Sequence, residues 1–555
     1  MTSGRRIRPD AAALRLRRLA PILATGLFLL GGCREGAHRP PCPAGKVCLE
    51  YGNNTEPLTL DPQKAELVAE SVIIGDLMMG LTTDGADASV QPGMAQSWEA
   101  SPDGLVWTFH LRPAQWSDGA PVTADDFVFA YRRILDPKTG SPYAYLVYLL
   151  KNGRAANTGQ APLAAIGARA LNPQTLQLTL EHPAPYLPQL LKHQSWYPAP
   201  AHAVRRFGDD WVRPGRYVSN GAYRLSAWRL GDRVTVEKNP RFFDAAHVCV
   251  DRIDYYPTSD STAAERQVAA GELDVSGSFQ SNRLQHIRRA MPGYARTHLW
   301  LITSYLTFNT HDAGPLRDRG IRQALSEAID REFITGKLLR AGQVPAYGFV
   351  PPGTANAQPG AAPAWARLSF AQRQAEARRL LAERGYGAKR PLRIAIASSD
   401  SNENILLAEA VQADWRAIGV DAHITQSESQ ILFADLRQRN FQTAMVGWVA
   451  DYDDPLTFLT LFKSDTGAQN YGDYRNPAYD RLLEAADQEP DARRRAGLLR
   501  QAEQIMLDDE AVAPLAFGVS RGLVSPKITG WVDNIANWHR ARWLCVRSGA
   551  SGAQP

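Results

Sequence analysis

Two stretches of this 555-residue chain carry residue types at spacings that could do chemistry. The first is Gly447-Trp448-Val449-Ala450-Asp451-Tyr452-Asp453-Asp454-Pro455, which follows an apolar, strand-like run from Phe441 to Val446. A strand that ends in acids between aromatics, then stops at a proline, can bury an anion. A buried carboxylate is costly unless a cation meets it, and a ligand ammonium is one such cation. The same acids could hold Ca²⁺, which favours oxygen-rich turns, or simply cap the next segment as an Asp-rich surface turn. The second stretch is Gly518-Val519-Ser520-Arg521-Gly522, the spacing of a nucleophile elbow, followed by Asp533 and His539 in hydrolase order. An elbow needs a strand, a sharp turn and a helix. Here Leu523-Val524-Ser525-Pro526 continues extended, and the closeness of Asp533 and His539 leaves no room for the intervening elements of a hydrolase. There is no His-Glu-x-x-His helix, phosphate-cradling glycine loop or dinucleotide fingerprint. No metal or cofactor is expected.

The elements that must position these residues begin with a leader. Residues 1–32 hold six arginines (Arg5, Arg6, Arg8, Arg15, Arg17 and Arg18) against one acid, Asp10. The whole chain has a formal net charge of +5, so the remainder is close to neutral and the pI near 8.9 is no argument for nucleic acid. The apolar run Leu19 to Leu30 is too short to span a membrane and reads as a signal peptide. It ends Leu30-Gly31-Gly32-Cys33, which resembles a lipobox, so Cys33 is the expected lipidation site and the mature protein is expected outside the cytoplasm. Four cysteines remain: Cys42, Cys48, Cys249 and Cys545. An even number in an exported chain suggests disulfides, Cys42 with Cys48 around Pro43-Ala44-Gly45 and Cys249 with Cys545; the four could instead be free buried thiols.

Residues 33–46 read as a tether, and order is expected from Val47. A helix is expected between Gln63 and Leu81, after a loop. Trp98 to Arg112 is a hairpin turned by Pro102-Asp103-Gly104. Thr123 with Asp126 starts a helix as N-cap and N3. From Tyr305 helices and strands alternate: helix over 318–339, helix from Ser369 to Arg384 with Gly385 as its stop, strand 392–397, helix 403–418, strand 420–425, strand 441–449, two helices near 479–487 and 492–507, and an extended run 511–524. That pattern predicts an α/β lobe of mostly parallel strands. The tail 548–555 reads as loose.

Ten short stretches in order now carry a family likeness. Among them are Trp98 to Arg112, Trp116 to Phe127, Ser141-Pro142-Tyr143-Ala144, Asn220-Gly221-Ala222-Tyr223, Phe308-Asn309, Arg322-Gln323-Ala324-Leu325-Ser326, Val350-Pro351-Pro352-Gly353 and the Asp451 stretch. Over residues 50–547 the chain resembles the oligopeptide-binding proteins of ABC importers, in the peptide/nickel class of extracellular solute-binding proteins. The resemblance implies a two-lobed, periplasmic-binding-protein-like α/β fold with a two-stranded hinge. It places lobe I at 47–302 with an extra subdomain near 80–200, lobe II at 303–519, and a return to lobe I at 520–547. Asp451 would pair with the ligand α-ammonium. Glu66, Leu67 and Val68 with Gly447 would pair with the peptide backbone as an added strand does, and Tyr143 and Trp448 would be aromatic cleft positions.

The departures matter as much. Relatives that favour short peptides hold the ligand carboxylate with basic residues. Met445 stands where they have arginine, Asn404 aligns with their cleft histidine, and only Arg437 survives as a candidate anchor. Ser278 aligns near their first-lobe cleft asparagine, an acidic cleft position is Thr307, and Ile302 with Val449 replaces their hinge disulfide. The expectation is a lipid-anchored, monomeric peptide receptor in the periplasm or at the cell surface, serving an ABC permease, with no nucleic-acid partner and no enzyme activity. Rival ligands are a non-peptide amine, a cell-wall peptide, a metal chelate, haem or a sugar. Rival functions are a lipoprotein used in signalling or adhesion, and a serine hydrolase at Ser520.

Overall fold

Two long strands, Ala295–Phe308 and Val512–Val524, organise the molecule. The computed structural model describes residues 41–311, 314–489 and 491–547. The leader, Cys33, most of the tether and the tail lie outside the described residues.

The two strands pair antiparallel along almost their full length, with a register break between Leu299 and Thr303. Past the break, Ala295–Phe308 pairs with Thr443–Val449, which is parallel to Leu392–Ser399, itself parallel to Val420–Ser427. Before the break, the second strand pairs with Val275–Ser276, and the sheet continues through Cys48–Gly52, Arg252–Tyr256, Arg233–Lys238 and Tyr223–Arg229. One sheet therefore runs through two lobes, joined by two strands, and the break marks where the pairing changes lobe. A separate four-stranded antiparallel sheet is built from Ala95–Ala100, Val106–Leu111, Thr175–Thr179 and Ala168–Asn172. Its hairpin turns at Gly104, whose φ of +70° suits a residue without a Cβ.

Packing follows the apolar pattern. Helix Asn402–Ala417 buries Leu407, Val411 and Trp415, spaced four apart on one face, against Ile394 and Ile396. Burying each such side chain stabilises the fold by roughly 1.5–3 kcal/mol. At the start of helix Ala124–Leu135, the Asp126 carboxylate accepts the Thr123 N–H at 2.9 Å and the Trp116 indole N–H at 3.2 Å. One expected helix is broken: 318–339 forms three pieces, Arg319–Glu327, Arg331–Phe333 and Ile334–Leu339. Asp330 restarts the chain by accepting the Phe333 N–H, and Arg331, fully buried, donates to the carbonyls of Ser326, Ala346 and Pro514. Those bonds tie the break to the neighbouring loop and strand, which the helical periodicity does not register.

Cys249 and Cys545 form a disulfide across 296 residues, fixing the returning strand Cys545–Val546 to the first lobe. Cys42 and Cys48 are also each in a disulfide. A bond that closes so long a loop limits the unfolded chain strongly, so Cys545→Ser should lower stability by about 2–4 kcal/mol. Urea denaturation under non-reducing conditions measures it, and an unchanged midpoint would assign the bond no role in stability.

Candidate functional site

The site begins on an uncovered strand edge. Thr443–Val449 is paired along its whole length with Phe308 to Ile302, but with Leu392–Ser399 only at Thr443 and Ala444. Among the described residues no strand covers its other edge from Met445 to Val449. Gly447 is exposed on this stretch. A side chain added there would meet only ordinary contacts, with the Thr303 carbonyl 3.7 Å away. Trp448 is half-buried, and its indole N–H is enclosed with no partner among the described residues. Ile302 and Val449 face each other in register.

The strand leads straight to Asp451, whose side chain is 8% exposed. Tyr145 donates its hydroxyl to Asp451 Oδ2 at 3.3 Å, and the Asp451 N–H donates to Thr457 Oγ1 at 3.0 Å. Tyr143 lies beside Tyr145, with ring centroids 6.0 Å apart, and also bonds the carboxylate. Among the described residues the nearest group able to carry positive charge is His193, with Nε2 at 4.0 Å. His193 Nδ1 accepts the Ser195 N–H at 3.3 Å, so its neutral form keeps the proton on Nε2. Burial and the positive Arg540 nearby hold the imidazole pKa down to about 3, so His193 is neutral and does not balance the acid. Burial drives the Asp451 carboxyl up to about 7, against the pull of the Tyr145, Tyr143 and Thr457 bonds. A carboxylate so placed is stabilised by any ammonium that reaches it.

The other acids of the turn have separate work. Asp454, fully buried, takes a bidentate pair from Arg495 at 2.7 and 2.8 Å and accepts the Leu456 N–H at 3.1 Å. Asp453 accepts the Ala355 N–H at 2.7 Å. Tyr452 stacks on Tyr186 at 5.4 Å, and the Arg495 guanidinium sits 5.0 Å from the Tyr186 ring. With Asp454 committed to Arg495, the three acids do not converge on one cation, and no group suited to a metal occurs among the described residues.

The remaining expected site residues divide. Glu66 and Arg437 lie within electrostatic reach of each other and of Tyr471, which with Glu66 also reaches Tyr143. Glu66, Tyr471 and Tyr143 thus link Arg437, exposed at the end of helix Ser429–Arg437, to Asp451. Of the backbone groups expected at Glu66, Leu67 and Val68 to pair with an added strand, two donors are already engaged. Val68 opens helix Val68–Leu77, and the N–H groups of Glu66 and Leu67 both go to the Glu70 carboxylate, at 2.8 and 2.9 Å. Those two donors are taken, and the Val68 N–H and the strand edge at Gly447 are left for a chain to join. Met445 also needs correction: 1% exposed, it packs with Leu306 and Leu515 in the second lobe's core and does not line the cleft. Thr307, equally, is 2% exposed on the inner strand. Asn404 donates to Ser399 Oγ at 2.7 Å, and Ser278 donates to Asn54 Oδ1 at 3.0 Å. Neither borders the two cavities that meet at Asp451. Ser520 sits inside the continuous strand Val512–Val524 and donates to Asn537 Oδ1 at 2.5 Å, so no elbow forms there. Sequence reasoning missed Tyr145 and His193. Tyr145, two residues past Tyr143, reaches the site only because 144–149 forms a 3₁₀ helix, and His193 belongs to no motif.

The raised Asp451 carboxyl gives a pH dependence with a definite sign. An ammonium binds the ionised form, so below about pH 7 a proton must leave first and affinity falls. Between pH 8 and pH 6 the affinity for a free-amine ligand should drop about three- to fivefold, because the loss of ionised Asp451 outweighs the gain of protonated ligand amine, whose own pKa is about 8. Calorimetric titrations across that range would show a flat profile if Asp451 does not meet the ligand.

The profile of the bacterial extracellular solute-binding proteins, family 5, matches residues 89–470. The periplasmic oligopeptide-binding protein OppA of Salmonella typhimurium is 36% identical over 533 residues, 93% of this chain and 97% of that one. Haemophilus influenzae OppA in complex with the peptide RPPGFSPFR superposes with a TM-score of 0.85 at 32% identity, over 90% of this chain and 99% of the other. The murein tripeptide-binding protein MppA in its unliganded open form, at 33% identity over 91% of this chain and 98% of its own, reaches only 0.70. The arrangement of the two lobes is therefore nearer that of the peptide complex than that of the open form. This chain belongs to the bacterial extracellular solute-binding proteins of family 5.

Proposed function

We propose that this protein is an extracytoplasmic receptor that encloses peptides between its lobes and delivers them to an ABC importer permease. The observation that carries the reading is Asp451: a buried carboxylate that no cation among the described residues balances, at the end of an uncovered strand edge. An extended peptide can add to that edge by backbone hydrogen bonds and place its ammonium on Asp451. Tyr143 and Trp448 flank the path, and Arg437, with Glu66 across from it, lies at the far end toward the ligand's carboxyl terminus. The likeness to relatives that are periplasmic binding proteins for oligopeptides and murein peptides supports the substrate class and the compartment. A murein peptide is the second reading, because the carboxylate anchors of short-peptide relatives are reduced here to Arg437.

Closure would pivot at the register break between Leu299 and Thr303, with lobe I at 47–302 and lobe II at 303–519. A ligand shifts the open–closed balance only by its preference for the closed form. Lipidation of Cys33 would tether the receptor; Cys33→Ser should move it from the membrane fraction to the soluble fraction, and unchanged fractionation would refute the tether. The function itself is tested by calorimetry with matched peptides bearing free or acetylated amines. Saturable one-to-one heat is expected, with acetylated peptides at least tenfold weaker. Absence of binding by any free-amine peptide would overturn the proposal.

A further inference from the structure

Tyr186 belongs to one lobe by its backbone and meets the other with its ring. It opens the short helix Leu187–Leu190, and its carbonyl accepts the Gln189 N–H at 2.9 Å and the Leu190 N–H at 3.1 Å. That helix is tied to lobe I, where the Thr82 hydroxyl donates to the Pro188 carbonyl at 2.8 Å and Leu187 and Leu190 are buried. The Tyr186 ring stacks on Tyr452, with centroids 5.4 Å apart and planes 12° apart, and the Arg495 guanidinium lies 5.0 Å from its centre. Tyr452 and Arg495 both fall in lobe II. Tyr186 is 5% exposed and Tyr452 8%, so the contact between the lobes excludes water.

Two polar pairs cross the same seam. Arg154 meets Asp465 at 3.1 Å, and His182 faces Asp487 at 3.8 Å. Arg154 and Asp465 are each about half exposed, so solvent and salt screen them and the pair contributes little. Burying an aromatic ring counts for more, and an offset stack adds to it. The aromatic contact is also made by the protein alone: Tyr186, Tyr452 and Arg495 are not among the groups that the proposed peptide path uses. Rotation about the break between Leu299 and Thr303 would draw residues 145–190 away from residues 451–495, take the ring off Tyr452 and expose both to water.

We propose that Tyr186 is a clasp between the lobes, which keeps the closed form populated before a peptide arrives and so sets the affinity for every peptide alike. The inference rests on the peptide-receptor reading. Tyr186 is a positioning residue, acting through closure and not by touching the ligand. The apparent dissociation constant is the intrinsic one divided by the fraction of protein able to close on the ligand, so a clasp that raises this fraction tightens all ligands by one factor. Asp451, in contrast, acts only on ligands with a free amine.

The test compares the protein with Tyr186→Ala and Tyr186→Phe, all three carrying Cys33→Ser so that none needs detergent. Small-angle X-ray scattering reads the shape without ligand, and calorimetry reads the affinity for matched peptides with free or acetylated amines. Tyr186→Ala should enlarge the radius of gyration of the ligand-free protein, which should return to the parent value at saturating peptide. Both peptides should weaken by the same factor, about tenfold, because Arg495 still holds Asp454 and the turn keeps its aim. Tyr186→Phe keeps the stack and should match the parent in shape, and in affinity within twofold. An unchanged radius in Tyr186→Ala overturns the clasp. A loss confined to the free-amine peptide overturns it too, since Tyr186 would then act on the aim of Asp451. A Tyr186→Ala protein that fails to fold would make the ring part of a lobe's core and likewise overturn the clasp. If the parent binds neither peptide, the receptor reading falls and this inference with it.

Discussion

Asp451→Asn should weaken free-amine peptides by about 10- to 150-fold, the worth of a charge-assisted bond of about 1.5–3 kcal/mol, and leave N-acetylated peptides within twofold. The substitution keeps the shape of the side chain and the acceptor for the Tyr145 hydroxyl while removing the charge. The same change should raise the stability of the ligand-free protein. The Asp451 carboxyl is raised to about 7 in the folded chain, so the folded state binds the proton more tightly than the unfolded state does. Stability is then lost as pH rises from the ordinary carboxylate range through about 7, and above that the ionised group is a standing cost. Replacing it with asparagine removes both the cost and that part of the pH slope. A side chain kept for the fold would respond in the opposite way. Calorimetric affinities and urea midpoints at pH 8, taken on one preparation, separate the two cases. Equal loss for free and acetylated peptides, or a less stable variant, would end the role given to Asp451.

How much of this was legible depended on range along the chain. The hairpin over 98–112, the Thr123–Asp126 helix start and the helix that Ser369 caps are local agreements between neighbours, and the structure has each of them. The buried turn at Asp451 was also readable, because acids between aromatics after a strand are unusual unless something meets them. What failed depended on distant partners. Glu66 and Leu67 look available in sequence, yet Glu70, one helical turn on, takes both of their N–H groups. Met445 aligns with a charged cleft position, but an apolar side chain there gains more by joining Leu306 and Leu515 in the core. His193 reaches Asp451 from more than 250 residues away in sequence, and no spacing rule connects the two.

The largest expected stability effect lies three residues past Asp451, at Asp454. Arg495→Leu should cost about 3–5 kcal/mol, because it leaves Asp454 buried and charged with no cation. The pair itself need not add that much. Taking both ions out of water is costly, so Asp454→Leu together with Arg495→Leu should recover most of the loss if the pocket repacks. The single change should also weaken peptide binding, and the reason is geometric. Arg495 grips Asp454 with two hydrogen bonds while resting near the ring of Tyr186, which stacks on Tyr452, the residue that follows Asp451. The buried pair thus holds the turn that aims the ammonium acceptor. The double variant separates the two effects: stability returns with burial, whereas affinity returns only if apolar packing can aim Asp451 as the guanidinium does. Urea denaturation and calorimetry on the single and double variants decide it. A single variant less than 1 kcal/mol weaker would mean that Asp454 finds water or a proton in place of Arg495, and the turn would then owe its position to the stacked tyrosines alone.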